Sequence, residues 1–301
     1  RSVRAVVQTR CTSELNPPGD ELFAGYTRYF WGSRLRRWAG VLPGPVRRGI
    51  AAALSSQERL FGLAFGYGNR LLPSALSLRN PRAKVGALAD QLRAVSDDER
   101  YRMLISHWRD PVSLVLGGHE PPSAFTDPAR RAMLVDPVAR MMATDMVSYL
   151  PDDVLTKVDR ASMAVSLEAR VPLLDHRVAE FAWRVPMAQK VRDGQGKWLL
   201  RQVLYRYVPK EMIDRPKMGF GVPVTDWLRG PLRDWAEALL DERRLREQGY
   251  FDPMPIRQMW QQHVAGTVNE GHRLWDVLMF QAWLDSASNG PRVARDAVMT
   301  C

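Results

Sequence analysis

A pair of adjacent acidic residues between glycines most constrains how this chain can fold. The stretch Gly19-Asp20-Glu21-Leu22-Phe23-Ala24-Gly25-Tyr26 follows a short apolar run from Val3 to Val7, which has the pattern of a buried strand. A carboxylate on a tight turn at a strand end suits a hard cation such as Mg²⁺, which shares carboxylate oxygens with substrate phosphates. The other interpretation is that Asp20 and Glu21 complement the N-terminus of a helix starting at Leu22. The residues alone leave both interpretations open.

Composition limits the class of protein. A chain of 301 residues with 46% hydrophobic content can bury a full core, in one large domain or two small ones. Cys11 and Cys301 match no metal-ligand spacing, and neither a run of eighteen apolar residues nor a secretory signal is present, so we predict a cytoplasmic protein without a membrane partner. The net charge of +10 comes from arginine clusters without interleaved aromatics, so we do not expect nucleic acid as a partner. Because the chain opens on Arg1 rather than methionine, we expect a fragment.

Most of the chain has the periodicity of helices rather than strands. Ser96 and Glu99 have capping-box spacing before an apolar stripe, and Asp136 followed by proline predicts another helix start. An apolar stripe predicts a helix from Lys157 to Ala169, and Asp175 is expected to cap the next one. Further helices are predicted over Leu199–Tyr207, Pro231–Leu245, Pro253–Val264 and Leu274–Leu284.

Charged residues in two later segments are candidates for chemistry. Lys217 lies in the Gly- and Pro-rich stretch Arg215–Pro223, where a pinned backbone can aim its ammonium at a transferring phosphoryl group; an exposed loop lysine is the other interpretation. Lys157 and Asp159 project from the predicted helix. Glu168 and Arg170 close that helix, and they either pair locally or contact a polar substrate.

Taken in order, these motifs resemble the synthetase part of the glutamine-hydrolysing asparagine synthetases and their relative β-lactam synthetase. The resemblance rests on the acidic turn, the segments Lys157–Asp175 and Arg215–Pro223, and Gly196-Lys197-Trp198-Leu199-Leu200-Arg201 between them, and it spans residues 19 to 285. It implies the α/β fold of the PP-loop ATP pyrophosphatases, although this chain itself is predicted to be predominantly α-helical with few short strands. We therefore expect a partial synthetase domain over residues 1–285 and a flexible tail over 286–301.

The resemblance implies a ligase that uses ATP and Mg²⁺. In such enzymes ATP adenylates the side-chain carboxylate of aspartate, and ammonia derived from glutamine attacks the aspartyl-AMP. By position, the resemblance implies Asp20 as a metal ligand, Glu21 in the substrate pocket, and Lys217 as the catalytic residue at the phosphates. Small-molecule substrates are the expected partners, and a homodimer is left open. Further candidates for binding substrate or ATP are Lys157, Asp159, Glu168, Arg170 and Lys197.

Two departures from the family pattern keep alternatives open. The serine- and glycine-rich pyrophosphate loop and the glutaminase domain of the family are not found in this sequence. Pro17 stands where the family has an acid thought to assist the attack of ammonia. The alternatives are a non-catalytic degenerate paralogue or assembly module, and an amidotransferase that acts on another acceptor.

Overall fold

The computed structural model describes residues 19–30, 42–56, 81–108, 110–214 and 222–288. These residues are mainly helical, and the strand-type pairings among them are two isolated bridges, Val115 with Phe251 and Arg192 with Gln195. The predominantly helical prediction is therefore confirmed, whereas the α/β fold of the family stays a prediction. The predicted strand at Val3–Val7 and the segment around Lys217 lie outside the described residues.

Fourteen α-helices have both ends within the described residues, after a helical turn at 27–30. They are α1 (Gly44–Ser56), α2 (Pro81–Arg93), α3 (Asp97–Ile105), α4 (Pro137–Met146), α5 (Thr156–Met163), α6 (His176–Arg184), α7 (Met187–Lys190), α8 (Trp198–Leu204), α9 (Lys210–Ile213), α10 (Val224–Arg229), α11 (Arg233–Leu239), α12 (Glu242–Gln248), α13 (Pro253–Val264) and α14 (Gly271–Ser288). A π-helix at Leu150–Leu155 leads directly into α5, and 3₁₀ helices span Pro128–Arg130 and Pro172–Leu174.

The predicted helix starts are confirmed by their side-chain caps. Ser96 Oγ accepts a hydrogen bond from Glu99 N at 3.1 Å, and Glu99 Oε2 accepts one from Val95 N at 2.7 Å, so the reciprocal bond reaches one residue further back than in the usual capping box. Asp136 accepts from the amides two and three residues later at the start of α4, and Asp175 accepts from the amide of Arg177 at the start of α6. These contacts are local, which is why residue type and spacing predict them.

The helix predicted from Lys157 to Ala169 is wrong in its second half. α5 ends at Met163, and Ser166 adopts a left-handed conformation with φ of 59°. Leu167 N donates to Ser162 O at 2.9 Å and Ser166 N donates to Met163 O at 3.0 Å, which is the Schellman arrangement of a helix end. No residue of α5 is buried, so no packing stabilises a longer helix.

The single helix predicted over Pro231–Leu245 is two helices. α11 ends at Leu239, and Asp241 then adopts an extended conformation and accepts a hydrogen bond from Arg244 N, which makes it the N-cap of α12. The predicted helix at Pro253–Val264 is confirmed with the same bounds, and the one at Leu274–Leu284 lies within α14. No helix of the described ranges combines the length and apolar character needed to cross a bilayer.

The chain divides into two compact units. The first unit comprises Arg1–Ile105 and Pro122–Lys217 and contains the acidic turn. Its buried residues include Leu22, Phe23 and Ala182 in one cluster, and a second cluster is formed by Ala24, Tyr29, Tyr101, Met141 and Met142. The second unit comprises Ser106–Pro121 and Met218–Cys301. Its largest cluster includes Leu228, Leu240, Leu245, Ile256, Trp260, Leu274 and Leu278.

The packing of the second unit predicts different changes in the free energy of unfolding for two leucine substitutions. Leu278 is fully buried, whereas Leu116 of the same unit is 55% exposed. We expect Leu278→Ala to lower the free energy of unfolding by about 2–5 kcal/mol, because it removes buried methyl groups and leaves a cavity. Leu116→Ala should change it by less than about 0.5 kcal/mol. Urea unfolding measures both, and equal effects would show that this core is not packed as described.

A buried lysine in the first unit predicts a pH-dependent stability. Lys190 is 3% exposed and its ammonium lies 5.0 Å from the ring centroid of Trp183. Burial lowers the pKa of Lys190 to about 8, so the folded state binds its proton less tightly than the unfolded state does. The cost of charging Lys190 is therefore present below pH 8 and disappears as the pH rises towards the ordinary lysine value of about 10.4.

We expect Lys190→Met to stabilise the protein at pH 7 by an amount on the order of a few kcal/mol and to abolish this part of the pH dependence. Chemical unfolding at pH 7 and pH 10 measures both effects. A Lys190→Met protein that is less stable than the parent at pH 7 would contradict the prediction.

Candidate functional site

The acidic motif folds as a compact turn and not as the start of a helix. Residues 19–24 form successive turns in which Phe23 N donates to Gly19 O and Gly25 N donates to Asp20 O, both at 2.9 Å. Ala24 has a left-handed φ of 54°, which no helix would contain. The interpretation of Asp20 and Glu21 as the start of a helix at Leu22 is therefore wrong.

The two carboxylates are buried because apolar residues of the same turn pack into the interior. Leu22 and Phe23 are 0% and 1% exposed and pack against Ala182 of α6. Ala24 belongs to the second cluster of this unit. With the turn held by these contacts, Asp20 is 1% exposed and Glu21 is fully buried. Acidic side chains are rarely buried to this extent without paired charges or a ligand.

Lys197 supplies the positive charge beside Asp20. Its Nζ lies 3.0 Å from Asp20 Oδ1, and its backbone N donates to Phe23 O at 2.9 Å. Lys197 precedes α8 in a left-handed conformation, with φ of 56°. The preceding Gly196 is required because a Cβ there would lie 2.1 Å from Ala24 O. The predicted binding residue Lys197 therefore contacts the turn through both backbone and side chain.

Tyr26 holds the second carboxylate. Its hydroxyl donates to Glu21 Oε1 at 2.6 Å. Burial raises the pKa of Glu21; the bond from Tyr26 opposes this shift, and the neighbouring charge of Asp20 adds to it. The charged form of Glu21 is thus disfavoured in the protein as it stands, and a cation beside it would favour that form.

The turn contains buried oxygens that accept no hydrogen bond from any of the described residues. Asp20 Oδ2 and Glu21 Oε2 accept no hydrogen bond, and Asp20 Oδ1 has Lys197 at ion-pair distance but not in hydrogen-bond geometry. Buried polar atoms normally have partners, so these oxygens need an explanation such as a bound ion. Carboxylate oxygens are the ligands that Mg²⁺ prefers, and it commonly takes one or two from the protein while phosphates and water supply the rest.

Asp20 and Glu21 therefore fit a Mg²⁺ that is shared with a phosphate. Among the described residues there is no cluster of three or more His, Cys, Asp or Glu that could enclose a metal ion on its own. The donor set of the turn accordingly suits a metal that arrives with its substrate rather than one held by protein ligands alone.

The remaining predicted residues do not meet at this turn. Lys157 Nζ lies 2.7 Å from Asp153 Oδ2, Asp159 is exposed, and Glu168 forms a 2.9 Å ion pair with Arg170. In the described part of the chain none of these four predicted residues forms a hydrogen bond or ion pair with the acidic turn. Their role as substrate or ATP ligands stays a prediction. Lys217 lies outside the described residues, so its convergence with the turn also stays a prediction.

The residues around the turn that the sequence analysis missed are aromatic and charged. They are Tyr26, Arg28, Tyr29, Tyr101 and Asp145, which form one hydrogen-bonded and stacked network. One signal was present in the sequence. Asp145 lies seven residues after Val138 on the apolar stripe of α4, and a lone acid on an apolar stripe is typical of a buried partner for a cation.

Comparison with known proteins places the chain in a family. The profile of the family described as asparagine synthase matches residues 18–285. The chain belongs to the asparagine synthase family. The acidic turn and Lys197 lie inside the matched range, and Pro17 lies just before it.

The asparagine synthetases that resemble the chain are longer than it is. A protein of Mycobacterium tuberculosis named "Putative asparagine synthetase (glutamine-hydrolyzing)" is 33% identical over 267 residues, which are 88% of this chain and 37% of that protein. Asparagine synthetase (glutamine-hydrolyzing) 1 of Bacillus subtilis is 32% identical over 146 residues, 48% of this chain and 23% of its own length. The chain thus spans 37% of the mycobacterial relative. The comparison with solved structures gave no significant match.

Close packing inside the turn predicts that Gly25 tolerates no side chain. A Cβ on Gly25 would lie 1.6 Å from Asp20 Oδ1 and 2.3 Å from Lys197 Cε. We expect Gly25→Ala to lower the free energy of unfolding by about 1–3 kcal/mol, because the ion pair must move to make room. Thermal unfolding monitored by circular dichroism measures the change.

Gly49 of α1 is the matched control for this prediction. A Cβ there meets nothing within 4 Å, and the position is helical and exposed. Gly49→Ala should leave stability unchanged or raise it by up to about 1 kcal/mol. A Gly25→Ala protein as stable as Gly49→Ala would rule out the described packing of the turn.

Proposed function

We propose that this chain is the nucleotide-activating part of an ATP-dependent amide-forming ligase with aspartate as its substrate. Membership of the asparagine synthase family supports a ligase of this type. The observation that carries the proposal is the burial of Asp20 and Glu21 with oxygens to which none of the residues in the described ranges donates a hydrogen bond. Such a pair has a high free energy in the unliganded protein, and a metal-bound phosphate lowers it.

The proposed reaction has two steps. A side-chain carboxylate oxygen of aspartate attacks the α-phosphorus of ATP, and the bond to pyrophosphate breaks. Ammonia then attacks the acyl carbon of the resulting aspartyl-AMP, AMP leaves with the carboxylate oxygen, and the nitrogen loses a proton to give asparagine. Activation is needed because a carboxylate is a poor electrophile, whereas an acyl phosphate has a good leaving group.

The residues of the turn have separate roles in this proposal. Asp20 would hold Mg²⁺ beside the phosphates, and Glu21 would bind the same metal or, as the resemblance implies, line the substrate pocket. The metal would offset negative charge that develops on the leaving pyrophosphate. Lys197 balances the charge of Asp20 and keeps the turn closed against α8. Tyr26 fixes one oxygen of Glu21 and leaves the other for a ligand. Lys217 is proposed to stabilise the phosphoryl group during adenylation.

The proposal includes small-molecule partners only: ATP, aspartate, and ammonia derived from glutamine. The cytoplasmic location stays a prediction from the sequence. Whether the protein forms a homodimer stays open.

Pro17 favours a second candidate within the same class of reaction. A proline side chain has no proton to exchange, so it cannot replace the acid that the family uses for the attack of ammonia. The activated carboxylate could then be transferred to a different acceptor amine, while the adenylation half of the reaction stays the same.

Exchange of labelled pyrophosphate into ATP tests the adenylation step directly. We expect exchange that requires both Mg²⁺ and aspartate, and a loss on the order of a hundredfold in Asp20→Asn, since metal-ion stabilisation of developing charge is worth several kcal/mol. Asp152→Asn is the matched control, because Asp152 is an exposed acid outside the proposed site.

Two results would contradict the proposed function. Absence of exchange in the folded parent chain would favour the non-catalytic assembly module instead. Equal exchange in the parent and in Asp20→Asn would show that the acidic turn is not the metal site. Exchange that depends on another carboxylic acid and not on aspartate would support the same chemistry with a different substrate.

A further inference from the structure

A fully buried carboxylate lies next to the acidic turn and is not used by the proposed mechanism. Asp145 of α4 is 0% exposed, and it accepts hydrogen bonds from three side chains. Its Oδ2 accepts from Arg28 Nη2 and from Tyr29 Oη, both at 2.6 Å, and its Oδ1 accepts from Tyr101 Oη at 2.5 Å. A buried charge with this many donors is a fixed anchor, because moving any donor away would remove a hydrogen bond that water cannot replace.

Arg28 connects this anchor to the aromatic side chains that face the turn. Its guanidinium carbon lies 4.0 Å from the ring centroid of Tyr26 and 4.5 Å from that of Tyr149. Its Nε also donates to Tyr101 Oη at 3.1 Å. The guanidinium therefore hydrogen-bonds to Asp145 and lies over two aromatic rings whose planes are 79° apart.

Tyr26 links the Arg28 guanidinium to the acidic turn. Its ring also contacts Tyr29 edge to face, with centroids 5.6 Å apart, and its hydroxyl donates to Glu21 Oε1. The position of the Tyr26 ring therefore determines which oxygen of Glu21 accepts the hydrogen bond from Tyr26 and which oxygen accepts none from the described residues.

We propose that Arg28 is a positioning residue for the acidic turn: anchored by Asp145, it fixes the ring of Tyr26 and thereby the carboxylate of Glu21. Neutralising Asp145 requires only a positive charge, which a lysine could supply. Fixing the Tyr26 ring requires a rigid group that lies over the ring while it donates to both Asp145 and Tyr101, which a lysine is not. The functional part of this inference rests on the proposed function, because it takes Glu21 as a ligand for substrate or metal.

The substitution Arg28→Lys keeps the positive charge beside Asp145 but removes the guanidinium that is proposed to fix the Tyr26 ring. An NMR signal of Tyr26 reports the effect. The full chain contains 8 tyrosines and can be labelled with ¹³C at tyrosine Cζ, with the Tyr26 resonance assigned by its absence in Tyr26→Phe. We expect the Tyr26 resonance to shift and broaden in Arg28→Lys. The control is Arg184→Lys, which makes the same exchange at an exposed ion pair with Glu180 and should leave that resonance unchanged.

Pyrophosphate exchange supplies the second readout. We expect Arg28→Lys to lower the exchange rate on the order of tenfold, as substitutions behind metal ligands commonly do. If Arg28→Lys fails to fold, Tyr149→Leu removes one of the two rings that the Arg28 guanidinium lies over, without removing a donor to Asp145, and the same shift of the Tyr26 resonance is expected.

Each outcome bears on one of the two proposals. An unchanged Tyr26 resonance in folded Arg28→Lys overturns the positioning role, whatever the exchange rate. A shifted resonance with an unchanged exchange rate overturns its link to function. A shifted resonance in a parent chain that shows no exchange supports the positioning of Glu21 and contradicts the proposed function alone.

Discussion

The burial of two neighbouring carboxylates is the constraint on which the first unit depends. Taking an ionised carboxylate out of water costs several kcal/mol even after the surroundings relax. Leu22 and Phe23 force that burial, because they share the turn with Asp20 and Glu21 and pack into the interior. The structure then offsets the cost with Lys197 on one acid and Tyr26 on the other.

The compensation is incomplete, and this incompleteness is what suits the turn to binding. A fully satisfied pair of acids would stabilise the protein but leave no oxygen for a metal or substrate. Here Asp20 Oδ2 and Glu21 Oε2 accept no hydrogen bond within the described part of the chain, while Lys197 and Tyr26 hold the other oxygen of each acid. Binding sites commonly combine such unsatisfied groups with a rigid support, because rigidity lowers the entropy lost when a ligand binds.

Local interactions explain which parts of the fold could be predicted. The caps at Ser96, Asp136 and Asp175 were predictable because each side chain bonds to an amide at most three residues away. The end of α5 was not, because its stripe of valines indicates a longer helix while none of the residues of α5 is buried. At the site, Asp20, Glu21 and Lys197 belong to family motifs and were predicted, whereas Arg28 and Asp145 were missed.

The sequence by itself determined the helical character of the chain and the family to which it belongs, since spacing and motif order are properties of the linear chain. It left open whether Asp20 and Glu21 form a turn or begin a helix. Only the tertiary structure decided that the turn is buried and that Arg28 meets Asp145, 117 residues further along. The physical reason is that side-chain spacing predicts contacts within one helix or turn. Which distant donors satisfy a buried charge depends on how the helices pack.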